Sequence, residues 1–203
     1  MSSLAAHNSI VRSYFDIARK IAVEAADSLS EDDKRSRVSV VVVMAVAAVE
    51  AYINIFGRMW IAQAPDFIFA EKITDDLKSK RFITYKIKTW PKLLFSQDFD
   101  LLQGACKDFL ELIEKRNRLM HFTSDYHTAQ SGNVAIKGLI DIAAFDSLTP
   151  KDAEEAIHIA ERFIEAWIRL QGIEGNHVMS ATAHWTGNRT VSDELAQERR
   201  IIL

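Results

Sequence analysis

A chain of 203 residues is long enough for one domain, or for one domain with a tail. Its 48% hydrophobic content supplies a sizeable core, while 7 Gly and 3 Pro give too few turn residues for an all-β fold. A net charge of −3 excludes a global basic field that would capture nucleic acid, and a single cysteine, Cys106, excludes an intramolecular disulfide and a multi-cysteine zinc site.

Met1 to His7 shows no basic stretch leading into an apolar one, so no secretory signal is expected and the protein reads as cytosolic. Leu4 to Leu29 predicts a helix, with Ile10, Tyr14, Ile17, Ile21 and Ala25 on one face. Ser30 to Lys34 reads as a charged break. A second long helix is predicted from Arg37 to Ala64, stopping at Pro65. Its apolar run, Val38 to Val49, is too short to span a bilayer and is followed by Glu50, Asn54 and Arg58, which favours a buried core helix.

Glu71 to Arg81 predicts a third helix. Lys78, Lys80, Arg81, Lys86 and Lys88 interleave there with Phe82, Tyr85 and Trp90. Two readings are open: a solvated face with core aromatics, or an RNA-binding surface where rings stack on bases and Lys78, Arg81, Lys86 and Lys88 meet phosphates.

Asp98 to Met120 predicts the next helix. Phe99, Leu102, Cys106, Phe109, Ile113, Arg116 and Met120 keep the 3-4 spacing of a core seam, with Leu110, Asn117 and His121 beside it. Cys106 is expected as a small buried hydrophobe. Thr123 to Gln130 reads as polar loop, and Asn133 to Phe145 has room for one or two short strands or an extended segment around Gly138. Thr149 as N-cap, Pro150 at the first helical position and Asp152 three residues after the cap open a helix that runs to Gln171, before Gly172. Residues 175–203 read as a loosely attached polar C-terminal tail with a short helix from Val191 to Arg200. The whole predicts an all-α fold, an antiparallel bundle of four to five helices over residues 1–174.

The chemistry concentrates at Arg116-Asn117-Arg118-Leu119-Met120-His121. Arg116 falls where the core seam continues, and a guanidinium left buried and unpaired would cost several kcal/mol. Glu50 interrupts the Val43–Val46–Ile53 seam in the same way, so a Glu50–Arg116 pair is expected, with Asn54 one turn further on. On helix physics alone Arg116 could instead snorkel at the helix end and His121 could cap the last carbonyls. Five residues apart, Arg116 and His121 diverge by roughly 140° at about 100° per residue, so they converge only at a frayed helix end or across a second subunit. None of the six histidines completes a ligand set, so no metal and no cofactor are expected.

The stretch Glu114 to His121 resembles the Arg-x4–6-His motif of HEPN-domain proteins, in which a polar residue often follows the arginine, as Asn117 does here. Val49-Glu50-Ala51-Tyr52-Ile53-Asn54 is similar to the acidic core helix of that family, and the helix from Asp152 to Gln171 to its closing helix. The likeness covers roughly residues 5 to 172. It implies a metal-independent endoribonuclease and a homodimer whose arginines and histidines face a shared cleft. RNA would be cut by 2′-hydroxyl attack to a 2′,3′-cyclic phosphate and a 5′-hydroxyl. Arg116 and His121 would be catalytic, Asn117 would position His121 or the phosphate, and Glu50 would orient Arg116. A toxin–antitoxin or phage-defence role, with an antitoxin protein as partner, follows from the same likeness. Family toxins modified by a nucleotidyltransferase antitoxin often carry a tyrosine two residues after the histidine; here Thr123 stands there and Tyr126 is the nearest tyrosine. Two alternatives stay open: a non-catalytic helical module of the same fold that binds a partner protein or nucleotide, and an unrelated all-α protein.

Overall fold

The computed structural model describes residues 7–120, 127–131, 134–139 and 143–187. Through them the chain is a helical bundle with one small hairpin. Residues 1–6, the end of the motif at His121, Thr123 and Tyr126, and the expected helix from Val191 to Arg200 lie outside the described residues.

The first two helices form a hairpin, α1 (His7–Asp27) packing along α2 (Glu31–Gln63). The charged break before α2 is its beginning: the Ser30 hydroxyl accepts the Asp33 N–H at 3.4 Å, and Glu31, Asp32 and Asp33 sit at the positive end of the helix. Helix α1 is turned by one residue from the expected face. Val11, Phe15, Ala18 and Ala25 are buried, whereas Ile10 and Ile17 are 50% and 44% exposed. Two adjacent stripes of α1 satisfy the same spacing, and only the packing partner selects one. Helix α2 is, among the described residues, the one helix long and apolar enough to cross a bilayer, and half of its most apolar window is buried inside the protein.

Helix α3 (Ala70–Lys78) ends earlier than expected, and α4 (Ile83–Phe95) follows it. Helix α4 is an addition to the expected elements: it carries Pro91 in its interior, although Ile83, Ile87, Trp90 and Leu94 keep helical spacing. Helix α5 (Gly104–Met120) begins six residues late, at a Gly104 held at φ +62°. Cys106, Phe109, Leu112, Ile113 and Leu119 are its buried residues, whereas Leu102 lies before the helix and is 80% exposed, and Met120 is 54% exposed.

Part of the expected polar loop is strand β1 (His127–Ser131), antiparallel to β2 (Val134–Leu139), with Ser131 opposite Val134 and a register shift between His127 and Thr128. After the four-residue α6 (Ala143–Asp146), α7 (Pro150–Leu170) opens with the expected capping box of Thr149 and Asp152. Helix α7 packs against α1, α2 and α5. The tail reading fails at its start. Helix α8 (Asn176–Thr186) packs on α7 and α1, with Val178 fully buried and the Asn8 Nδ2 donating to the His184 carbonyl at 3.0 Å. Polar composition hid this helix because only one of its faces is anchored.

Candidate functional site

Helix α5 places the motif at its C-terminal end. Arg116 continues the line of Cys106, Phe109 and Ile113 and is half-buried. Its Nε is shielded from solvent and has no hydrogen-bond partner, and among the described residues no carboxylate pairs with it. Asn117 and Arg118 are exposed. One face over, Lys115 and Arg118 line a shallow groove of about 270 Å³ between α5 and α7 with Asp108, Glu111, Asp152 and Glu155. The Lys115 ammonium bonds the Asp152 carboxylate. Burial pulls the Asp152 carboxyl upward, but the hydrogen bonds from Lys115 and Thr149 outweigh it and hold the group below its ordinary value.

The expected Glu50–Arg116 pair is not formed among the described residues. Glu50 and Asn54 serve a different cation. The Lys86 Nζ donates to Asn54 Oδ1 at 2.6 Å and stands 5.5 Å from the centre of the Trp90 ring. Helix α4 reaches this side of α2 because Gly57 leaves room for Trp90: a Cβ at Gly57 would meet the ring at 2.5 Å. Burial pushes the Lys86 ammonium below its ordinary pKa; Glu50 and Asp76 pull it back up, and Arg58 acts with burial.

Lys86 therefore leaves the RNA-binding set, because a side chain only 3% exposed between α2 and α4 cannot reach a phosphate. Lys78, Arg81 and Lys88 remain exposed. Beside them Asp76, itself buried, accepts from the Lys72 Nζ at 2.5 Å and from the Trp90 Nε1 at 3.2 Å, and lies 3.9 Å from the Arg81 Nε. Sequence reasoning missed this polar seam. Within Asp75-Asp76 nothing marks which carboxylate turns inward, and only the apolar residues of α4 (Ile83, Ile87, Trp90, Leu94) carried a signal at helical spacing.

Cys106 is buried as expected, and burial, with Asp100 nearby, pushes its thiol up to about 11. It holds almost no thiolate at neutral pH and is a poor nucleophile. A second groove, of about 400 Å³, lies between α7 and α8 and is bordered by His158, Glu161, Arg162 and Thr182. Its charges are engaged within the fold: Glu161 takes the Arg19 Nη2 at 2.6 Å, and Arg162 lies 3.2 Å from Asp108. No family model matches the chain, and no curated protein or solved structure matches it either.

Proposed function

We propose that the chain is a metal-independent endoribonuclease of HEPN type, an antiparallel bundle of four to five helices acting as a homodimer in the cytosol. One observation carries the reading. Among the described residues the shielded Arg116 Nε has no acceptor, and it stands on the last turns of α5, which ends at Met120. A permanent cation kept half-buried with no carboxylate paired to it among the described residues is poised for an anion from outside, and a phosphodiester is such an anion. Arg116 binds the non-bridging phosphate oxygens and stabilises the charge that builds on them in the transition state. The His121 imidazole takes the 2′-hydroxyl proton as that oxygen attacks phosphorus. A proton returned to the departing 5′-oxygen completes the step, leaving a 2′,3′-cyclic phosphate and a 5′-hydroxyl. Asn117, exposed beside Arg116, positions the phosphate. A second copy supplies the convergence that one helix, with the two residues roughly 140° apart at about 100° per residue, does not. Asn54 has no part in this site, being bonded to Lys86. A role in phage defence or as a toxin restrained by an antitoxin protein belongs to the same reading.

The test is incubation of the purified chain with RNA in EDTA and analysis of the ends. The native chain is expected to leave 2′,3′-cyclic phosphates. His121→Ala is expected to lower the rate by at least about 100-fold, the scale of general acid–base catalysis, and Arg116→Ala by a similar factor. No cleavage by the native chain, or equal cleavage by His121→Ala, sinks the ribonuclease reading in favour of a non-catalytic binding module.

A further inference from the structure

The twenty residues from Lys78 to Gln97 hold six cations and no acid, in a chain whose net charge is −3. Lys86 is buried; the other five face solvent. Helical spacing sets Tyr85, Lys88 and Lys92 on one face of α4, at i, i+3 and i+7. Arg81 extends that face from the turn, with its guanidinium 5.4 Å from the centre of the Tyr85 ring. The turn ends on Phe82, 82% exposed and, among the described residues, without a ring contact, two residues after a Lys80 held at φ +52°. Ile83, Ile87 and Trp90 root α4 in the protein immediately after it, so Phe82 is presented from a fixed base.

We infer that this turn and the outer face of α4 form a contact track for single-stranded RNA, with Phe82 stacking on an unpaired base and Arg81, Lys88 and Lys92 meeting the phosphates. The choice of RNA rests on the ribonuclease reading above. The chemistry of the track stands on the residues themselves. Two loose carboxylate neighbours, Asp76 at 3.9 Å from Arg81 and Asp98 at 3.9 Å from Lys92, leave these exposed cations in excess, so the row complements a phosphate chain, and an exposed ring fixed beside it complements a base. From Tyr85 to Lys92 the row covers about 10 Å, some three steps of a stacked strand at about 3.4 Å each. A bilayer is the poorer occupant, because an interfacial helix must offer an apolar face and α4 turns Ile83, Ile87, Trp90 and Leu94 into the protein. A duplex is poorer too, because its bases are already stacked and Phe82 would find none free.

The test uses the full chain carrying His121→Ala, so that binding is read without cleavage. Its affinity is measured by fluorescence anisotropy for a labelled single-stranded RNA of about twelve nucleotides, for the same RNA as a duplex, and for phosphatidylserine–phosphatidylcholine vesicles. The single strand is expected to bind tighter than the duplex. Adding Phe82→Ala should weaken the single strand by about 5- to 100-fold. Adding Lys88→Gln and Lys92→Gln together should flatten the slope of log affinity against log salt by about 1.4, near 0.7 for each lost phosphate contact. Equal affinity with and without Phe82, a preference for the duplex, or binding to vesicles but not to RNA overturns the track. The two readings fail separately. Single-strand binding that depends on Phe82, with no cleavage by the native chain, ends the ribonuclease reading alone. Cleavage, with Phe82→Ala binding unchanged, ends the track alone.

Discussion

The interface of α7 with its neighbours and the interface of α4 with α2 hold one fold together with opposite materials. Along α7 the buried contact is apolar, with ion pairs to Arg19, Asp108 and Lys115 at its margins. Ala153, Ala156, Ala160, Phe163, Ile164 and Trp167 are fully buried, Phe163 lies 4.5 Å from the Phe109 ring, and Trp167 meets Phe56, Phe95 and Phe99. Where α4 meets α2 and α3, ring contacts of Phe95 with Phe56 and Trp60 are joined by contacts that turn on single atoms: the Trp90 ring on a bare Gly57 and the Lys86 ammonium on Asn54, both of α2, and the Trp90 indole N–H on Asp76 of α3. Area-driven burial tolerates exchange of one apolar shape for another, whereas a contact made of individual atoms tolerates few changes. Stability should therefore be concentrated along α7, and sensitivity to small changes between α2 and α4.

The largest expected effect breaks the first interface. Trp167→Ala should cost about 3–5 kcal/mol in chemical denaturation, because it removes a fully buried ring from an aromatic cluster. Trp167→Phe should cost much less: the indole Nε1 has no hydrogen-bond partner, so its loss abandons no bond. If Trp167→Ala cost under about 1 kcal/mol, the apolar interface would not be the centre of stability and the comparison would fall.

Next in size comes a single methyl group at the second interface. Ala is the better helix former by about 1 kcal/mol, so Gly57→Ala on an open helix face would stabilise. Here the added Cβ meets Trp90 Cζ3 at 2.5 Å and Cη2 at 2.9 Å, and the ring belongs to a buried, hydrogen-bonded side chain with little freedom to yield. A net loss of about 1–3 kcal/mol is expected by thermal or chemical unfolding. A gain would show that α4 rides loosely on α2.

The same contrast decides what the sequence reveals. Helix α7 was legible in full, from the Thr149–Pro150–Asp152 start to the turn at Gly172, because its caps are local and its apolar stripe has one period. Its partner α1 was legible as a helix but only in part in its facing: of the expected face Ala25 is buried and Tyr14 and Ile21 pack on the core, while Ile10 and Ile17 give way to Val11, Phe15 and Ala18. Helix α4 showed only the helical spacing of Ile83, Ile87, Trp90 and Leu94, and the inward turn of Lys86 and Asp76 was not legible at all. Their reason lies in Gly57 and Asn54, some thirty residues away, and no local pattern records a partner at that range. The candidate site divides the same way. Half-burial of Arg116 followed from its place on the seam of α5, but the expected Glu50–Arg116 pair does not form among the described residues, because a charge that breaks a stripe does not say which neighbour answers it.

The finest test of the comparison acts on the charge of Lys86 alone. Lys86→Met keeps the aliphatic stem against Trp90 and removes a buried ammonium. Replacing a buried charge by an apolar side chain of similar length is often neutral or stabilising, so a change between about zero and a gain of about 2 kcal/mol is expected at neutral pH. The sign with pH follows from burial. Because the folded Lys86 pKa is depressed, the unfolded chain binds the proton more strongly, and unfolding takes up a proton between the lowered value and the ordinary value near 10.4. The native protein therefore carries the full penalty below that window and sheds it as pH rises through the window. Any advantage of Lys86→Met should shrink between neutral pH and about pH 10, read as converging unfolding midpoints of the two proteins. If Lys86→Met were instead destabilising at neutral pH and the gap closed only as pH rose past the ordinary lysine value, the bond to Asn54 and the field of Glu50 would outweigh burial. Lys86 would then be a strut of the α2–α4 interface rather than a charge it tolerates.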